Sequence, residues 1–227
     1  MNPKAAGSAS LMRRPLTEGD YRKLEQSWIP RELADAAGIF RVNSHQGSEI
    51  IGRKNTKDYA GIVFPYYWPG DASPRDYRLR RDSPEIERKA DGTTREVEKY
   101  LTAQGSHNKL YFPPGVTADM LTDTSLPIVI TEGEKKTLAL WRLSNHDSNC
   151  PRFLPAGLAG VSSWRGTVGR ETGPDGAIRY IKGVIPDLGR IKWNGRRVTI
   201  LYDSDASTNA NIRAARRELA RELEGRI

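Results

Sequence analysis

The chain has 227 residues, 37% of them hydrophobic and 28% charged, which bounds it to one large or two small globular domains and excludes a disordered chain. No apolar run approaches the ~20 residues needed to span a bilayer, and Met1–Ser10 lacks the apolar core of a secretory signal, so a cytoplasmic protein is expected. One cysteine, Cys150, excludes an internal disulfide and a cysteine-rich zinc site and is expected to be buried, while 36 Lys and Arg against 28 Asp and Glu favour phosphate-bearing partners.

Residues 1–15 read as a disordered leader. Leu24, Trp28, Ile29, Leu33, Ala36 and Ala37 predict two short helices broken at Pro30, the second ended by Gly38. The run Gly61–Trp68 is β-branched and aromatic and ends in Pro69-Gly70, a turn signal; Asp76–Arg80 alternates and is expected to pair with it as a hairpin. Asp82–Glu96 has the composition of a flexible loop. Lys99–Leu101 and Leu110–Phe112 predict two further extended pieces before Pro113-Pro114-Gly115.

After Pro127 the period changes. Ile128-Val129-Ile130 is the short apolar run of a buried parallel strand, followed by Thr131-Glu132-Gly133 and a helical stretch over Lys135–Leu143. Phe153-Leu154 and Val161 predict a second strand near Gly157 and Gly160. Residues 166–179, rich in glycine and proline, read as a mobile insertion, and Ile181–Leu188 as a short helix. Val198–Tyr202 is the clearest strand of the chain, with Asp203-Ser204-Asp205 at its end. Ala210–Leu223 follows as an amphipathic helix with Ile212, Ala215, Leu219 and Leu223 on one face. Two strand–acid–helix units in succession predict an α/β fold with a parallel sheet flanked by helices. A smaller mixed α+β subdomain over 16–125 is expected to precede a domain over 126–227.

In open parallel sheets ligand sites lie beyond the carboxyl ends of the strands, where Glu132, Asp203 and Asp205 all fall. Three carboxylates in one small volume repel one another unless a divalent cation neutralises them, and Mg2+ (or Mn2+) takes one or two carboxylates together with waters and phosphate oxygens. The competing reading is that Glu132 and Asp203 cap the helices that follow them. Lys135 and Lys136 either bind phosphate or face water. The five tryptophans read as packing residues, and the three histidines as surface or loop residues without ligand spacing. No Walker A pattern occurs.

The segment Ile128-Val-Ile-Thr-Glu-Gly-Glu-Lys-Lys136 and the segment Val198-Thr-Ile-Leu-Tyr-Asp-Ser-Asp205, each followed by a helix, resemble the Toprim domain of primases, topoisomerases and some nucleases. Residue by residue, Glu132 matches the first acid of that family, Gly133 the glycine after it, and Asp203 and Asp205 the Asp-x-Asp motif. Leu154–Trp164 looks like the glycine-containing second strand and loop. Upstream, Val63–Tyr66, Tyr77–Arg80, Lys99–Leu101 and Leu110-Tyr111 occur in the order seen in the N-terminal half of the primase polymerase domain. The nearest likeness is to the front domain of plasmid, phage and integrative-element primase-helicases, and it spans about residues 17–223.

The resemblance implies a primase-type nucleotidyltransferase that makes primers on a single-stranded DNA template from nucleoside triphosphates, with a replicative helicase in the same or another chain. It implies Mg2+ or Mn2+ on Glu132, Asp203 and Asp205. It also implies phosphate or template contacts at Arg78, Arg80 and Lys99, the last beside Tyr100, whose ring offers stacking; alternatively Arg78, Arg80 and Arg81 are solvated strand and turn residues. Lys136 stands where many primases place an acid. The family's next acidic strand is not seen after Leu223, so 126–227 is expected to be a C-terminally incomplete Toprim domain, and no zinc ribbon precedes it. The rival functions are a Toprim nuclease and a non-catalytic nucleic-acid-binding module.

Overall fold

The computed structural model describes residues 13–54, 56–89, 92–203 and 208–227. Of the leader expected over 1–15, Arg14 is described as bridged to Arg41 in antiparallel fashion, and residues 1–12 lie outside the described residues.

Two short helices open the chain, α1 (Glu18–Glu25) and α2 (Arg31–Ala36). Thr17 starts the first through a reciprocal capping box with Asp20, which satisfies amide groups that have no partner inside the helix. Gly38, at φ 64°, ends the second region where predicted. Strand β1 (Phe40–Val42) and helix α3 (Ser44–Ile51) follow, the helix capped by Asn43 and Gln46. Strands β2 (Gly61–Tyr66) and β3 (Asp76–Arg81) form the expected antiparallel hairpin. Asp82–Glu96 is not a plain loop: it folds into a second hairpin, β4 (Glu85–Arg88) with β5 (Thr94–Val97). Strand β6 (Tyr100–Thr102) completes a four-stranded antiparallel sheet in the order β1-β2-β3-β6.

A short helix, α4 (Ala118–Thr122), leads into the second half. Here β7 (Ile128–Glu132), β8 (Leu154–Leu158) and β11 (Val198–Leu201) form a parallel sheet in the order β11-β7-β8. Helix α5 (Glu134–Ser144) connects β7 to β8. It lies so close to β8 that a Cβ on Gly157 would sit 2.3 Å from the Thr137 hydroxyl, so only glycine fits there. Helix α7 (Ala210–Glu224) buries Ala215, Leu219 and Leu223, the predicted apolar face. The fold is thus mixed α/β with a three-stranded parallel sheet flanked by helices.

Two expectations between β8 and β11 are corrected. The insertion over 166–179 and the first half of the helix over 181–188 are one hairpin, β9 (Arg165–Thr172) with β10 (Ile178–Val184). Only α6 (Pro186–Gly189) is helical, because Pro186 has no amide to donate and is tolerated only in a first turn. Cys150 is exposed, not buried. Trp68, Trp164 and Trp193 are core residues as expected, whereas Trp28 is 59% exposed.

The two halves share their packing. Trp68, Leu110, Phe112 and Val116 lie in the same core as Ile128, Ile130, Leu154, Leu158, Leu219 and Leu223. Tyr111 is bridged to Gly157 through a reciprocal pair of backbone hydrogen bonds of 2.8 Å. Among the described residues no helix is long and apolar enough to cross a membrane.

Candidate acidic site at the rim of the parallel sheet

Parallel strands in register end at the same edge. Leu201 of β11 lies opposite Thr131 of β7, so Glu132 and Asp203 leave adjacent strands at one rim. Gly133, at φ 79° and ψ 148°, turns the chain sharply from β7 into α5, a conformation that L side chains rarely adopt. The Thr137 hydroxyl donates to the Gly133 carbonyl (2.8 Å), and the Gly133 amide donates to the Leu158 carbonyl (2.7 Å). The acid-bearing turn is therefore held from both sides.

Lys136, on the first turn of α5, reaches back over this rim. Its ammonium lies 2.9 Å from Glu132 Oε1 and 2.5 Å from Asp203 Oδ2, so one cation bridges both predicted acids. Burial and the neighbouring Asp203 carboxylate raise the Glu132 pKa, against the pull of Lys136. The Lys136 ammonium lowers the Asp203 pKa, opposed by burial and helped by a hydrogen bond from Glu132. Burial pulls Lys136 down, but Asp203 and Glu132 together hold it above its ordinary value. Asp205 lies outside the described residues. Among the described residues two carboxylates meet here, not three, and none of them forms a group of three or more metal-capable side chains.

A cleft of about 240 Å³ opens beside the acids, lined by Arg78, Tyr100, Glu132, Gly133, Glu134, Lys135, Lys136 and Ala159. It lies between the two sheets. Arg78 is not a free phosphate ligand. Its guanidinium is largely buried, 3.1 Å from the Glu134 carboxylate and stacked over the Tyr100 ring at 5.0 Å. Glu134 is itself buried and also accepts a 2.5 Å hydrogen bond from the Tyr66 hydroxyl. Arg78 thus neutralises a buried acid, because an unpaired carboxylate in that position would be costly.

Of the other predicted cations, Lys135 and Lys136 line the cleft, whereas Arg80 and Lys99 do not. Lys135 donates to Ser27 Oγ at 3.1 Å, and its pKa is lowered by burial and then by the charges of Arg80, Lys99 and Lys23. The charges of Arg80 on β3, Lys99 just before β6 and Lys23 on α1 therefore act against that of Lys135 on α5. Of these, Lys99 is paired with Glu96. Such mutual repulsion is relieved by an anion, and phosphate is the chemistry that matches it.

Sequence reading alone gave no site role to Glu134 or Tyr66. The only available signal was the second acid in Glu132-Gly133-Glu134, which a helix first turn also explains. Residues 118–226 match a family model described as "Domain of unknown function (DUF3854)". No curated protein and no solved structure matches the chain.

Proposed function

We propose that the chain is a Toprim-like module of the primase class, with its reaction centre at the Glu132–Asp203 rim. One observation carries the reading: two acids from the ends of adjacent parallel strands meet beside a cleft lined by Lys135 and Lys136, with Arg80, Lys99 and Lys23 near enough for their charges to act on Lys135. The donor set fits a hard divalent cation, since Glu132 and Asp203 offer two carboxylates and Mg2+ completes its shell with waters and phosphate oxygens. Lys136 is a competitor already seated on both carboxylates. When bound, Mg2+ or Mn2+ supplies charge neutralisation and a template for a triphosphate.

In this reading the chain's own residues have distinct tasks. Glu132 and Asp203, with Asp205 as the sequence-based third member, hold the cation. Lys135 and Arg80 face the phosphates of a nucleoside triphosphate or of a single-stranded DNA template. Lys99 joins them on exchanging Glu96 for phosphate. Gly133 fixes where Glu132 points. The Glu134–Arg78–Tyr66 cluster sets the distance between the basic sheet and the acidic rim. A replicative helicase remains the expected partner of such a module.

The Lys136 bridge favours a second reading, in which the module binds nucleic acid without catalysis. Primer synthesis on single-stranded DNA with nucleoside triphosphates and Mg2+ or Mn2+ separates the two. The first reading expects synthesis that Asp203→Ala abolishes. Synthesis surviving Asp203→Ala removes the rim from the mechanism. Cleavage of labelled DNA without nucleotides would assign the acids to a nuclease instead.

A further inference from the structure

The β9–β10 ribbon is a second surface that the acidic site does not use. It is a two-stranded antiparallel hairpin with no third strand on either edge among the described residues. Such a ribbon is marginal by itself and keeps few apolar side chains unless something covers them. This one exposes Tyr180 (65%), Ile178 (57%) and Ile181 (45%).

Its base is fixed. The Trp164 ring is buried, the Ile185 amide donates to the Trp164 carbonyl, and Asn108 Nδ2 donates to the Arg165 carbonyl at 2.9 Å. Arg165 also pairs with Glu218 of α7 at 2.6 Å. The base is therefore held while both faces of the hairpin beyond it stay open.

The two faces differ in charge. Residues directly opposite in an antiparallel pair share a face, and alternate residues share it along a strand. Arg170 faces Tyr180, and Thr172 faces Ile178. Lys182, two residues after Tyr180 and just past a register shift between Ile181 and Lys182, continues the same side along β10; its ammonium donates to the Thr167 hydroxyl at 2.6 Å. Beyond the Arg165–Glu218 pair at the base, this face thus carries two cations, an aromatic ring and no carboxylate of its own. The other face holds the acid, Glu171, opposite Arg179. Arg170 has no carboxylate partner among the described residues.

Cations spaced around an exposed tyrosine match single-stranded nucleic acid, whose phosphates pair with Arg and Lys while an unpaired base stacks on the ring. We propose that the β9–β10 ribbon is an arm that grips single-stranded DNA through Arg170, Tyr180 and Lys182. The choice of DNA as partner rests on the functional reading above; the ribbon's own geometry does not depend on the acidic rim.

The test is fluorescence anisotropy of the full chain with a labelled oligonucleotide across a salt series. Replacing two phosphate contacts, in R170Q/K182Q, is expected to flatten the log–log salt slope by about 1.4, at ~0.7 per contact for a single strand. Tyr180→Ala is expected to weaken binding about fivefold or more, and Tyr180→Phe to retain it, because the ring and not the hydroxyl stacks. Binding and slope unchanged in both R170Q/K182Q and Tyr180→Ala overturn the proposal. So does a preference for duplex that ignores Tyr180, or a self-association that Tyr180→Ala dissolves without affecting DNA. Asp203→Asn separates this surface from the catalytic reading. Ribbon-dependent binding without primer synthesis sinks the catalytic reading and leaves the arm, whereas synthesis with ribbon-independent binding sinks the arm alone.

Discussion

Lys136 decides how the acidic rim behaves. An ammonium within hydrogen-bond distance of both Glu132 and Asp203 does part of the work that a divalent ion does, since it offsets the repulsion of two carboxylates. On the proposed reading, a divalent ion would compete with Lys136 for the same oxygens. Lys136→Met removes the competitor while keeping most of the side-chain volume. Coulomb attraction at this separation is a few kcal/mol in a half-solvated setting and is discounted by solvent screening at a partly exposed side chain. We expect Mg2+ or Mn2+ to bind the variant about tenfold more tightly, read by calorimetric titration. The metal-free variant should also melt at a lower temperature than the parent and gain more on adding metal, because ligand that binds only the folded state stabilises it. Equal metal affinity in the two proteins would mean that the rim is an ion pair and nothing more.

At the scale of elements, the β4–β5 hairpin is anchored through Arg81, whose pair with Glu85 is joined by Lys57–Glu85 and Lys99–Glu96. Arg81, at the end of β3, is 1% exposed, and its guanidinium lies 2.6 Å from the Glu85 carboxylate. Its Nε donates to the Asp58 carbonyl at 2.7 Å. The hydrogen bond from Arg81 pushes the Glu85 carboxyl down from 4.5 to about 2. A depressed carboxyl contributes stability that is present above its ordinary pKa and lost as pH falls toward the folded one. The parent should therefore be more stable than Glu85→Gln near neutrality, and the gap should close as pH drops from about 4.5 to about 2. Urea midpoints across that range check this, and a gap that does not change with pH would detach Glu85 from Arg81. The same hairpin explains why the sequence misleads here. Residues of β4 are all exposed, as are most of β5, so no apolar alternation marks them as strands. The β9–β10 ribbon failed for the same reason, and Ile181, Val184, Ile185 and Leu188 imitate helical spacing although a strand ends between them. By contrast β7 and α7 were legible because each buries an apolar face, and β11 because Val198 and Ile200 pack half-buried against the core.

Across the whole molecule, the acidic rim could be read from two strand–acid–helix units, but the connection between halves could not, because its partners are 56 and 68 residues apart in the chain. Tyr66 and Arg78 belong to the antiparallel sheet, and Glu134 opens α5 beneath the parallel one. The Asp187 carboxylate makes a second tie: it accepts from Arg75 at 2.7 and 2.6 Å and from the Leu110 amide at 2.8 Å. With the shared core of Trp68, Phe112 and Ile130, these contacts leave neither half able to unfold without exposing the other's apolar surface. One cooperative transition is therefore expected in urea, with tryptophan fluorescence and far-ultraviolet circular dichroism superimposing. Glu134→Ala should lower that transition without dividing it. Removing one partner of a buried ion pair leaves Arg78 uncompensated, a loss of about 3–5 kcal/mol in comparable settings. If the substitution instead separated an early from a late transition, the halves would be independent units and Glu134 merely a contact between them. A single, displaced transition makes the cluster a tie that joins the two sheets on either side of the cleft into one folding unit.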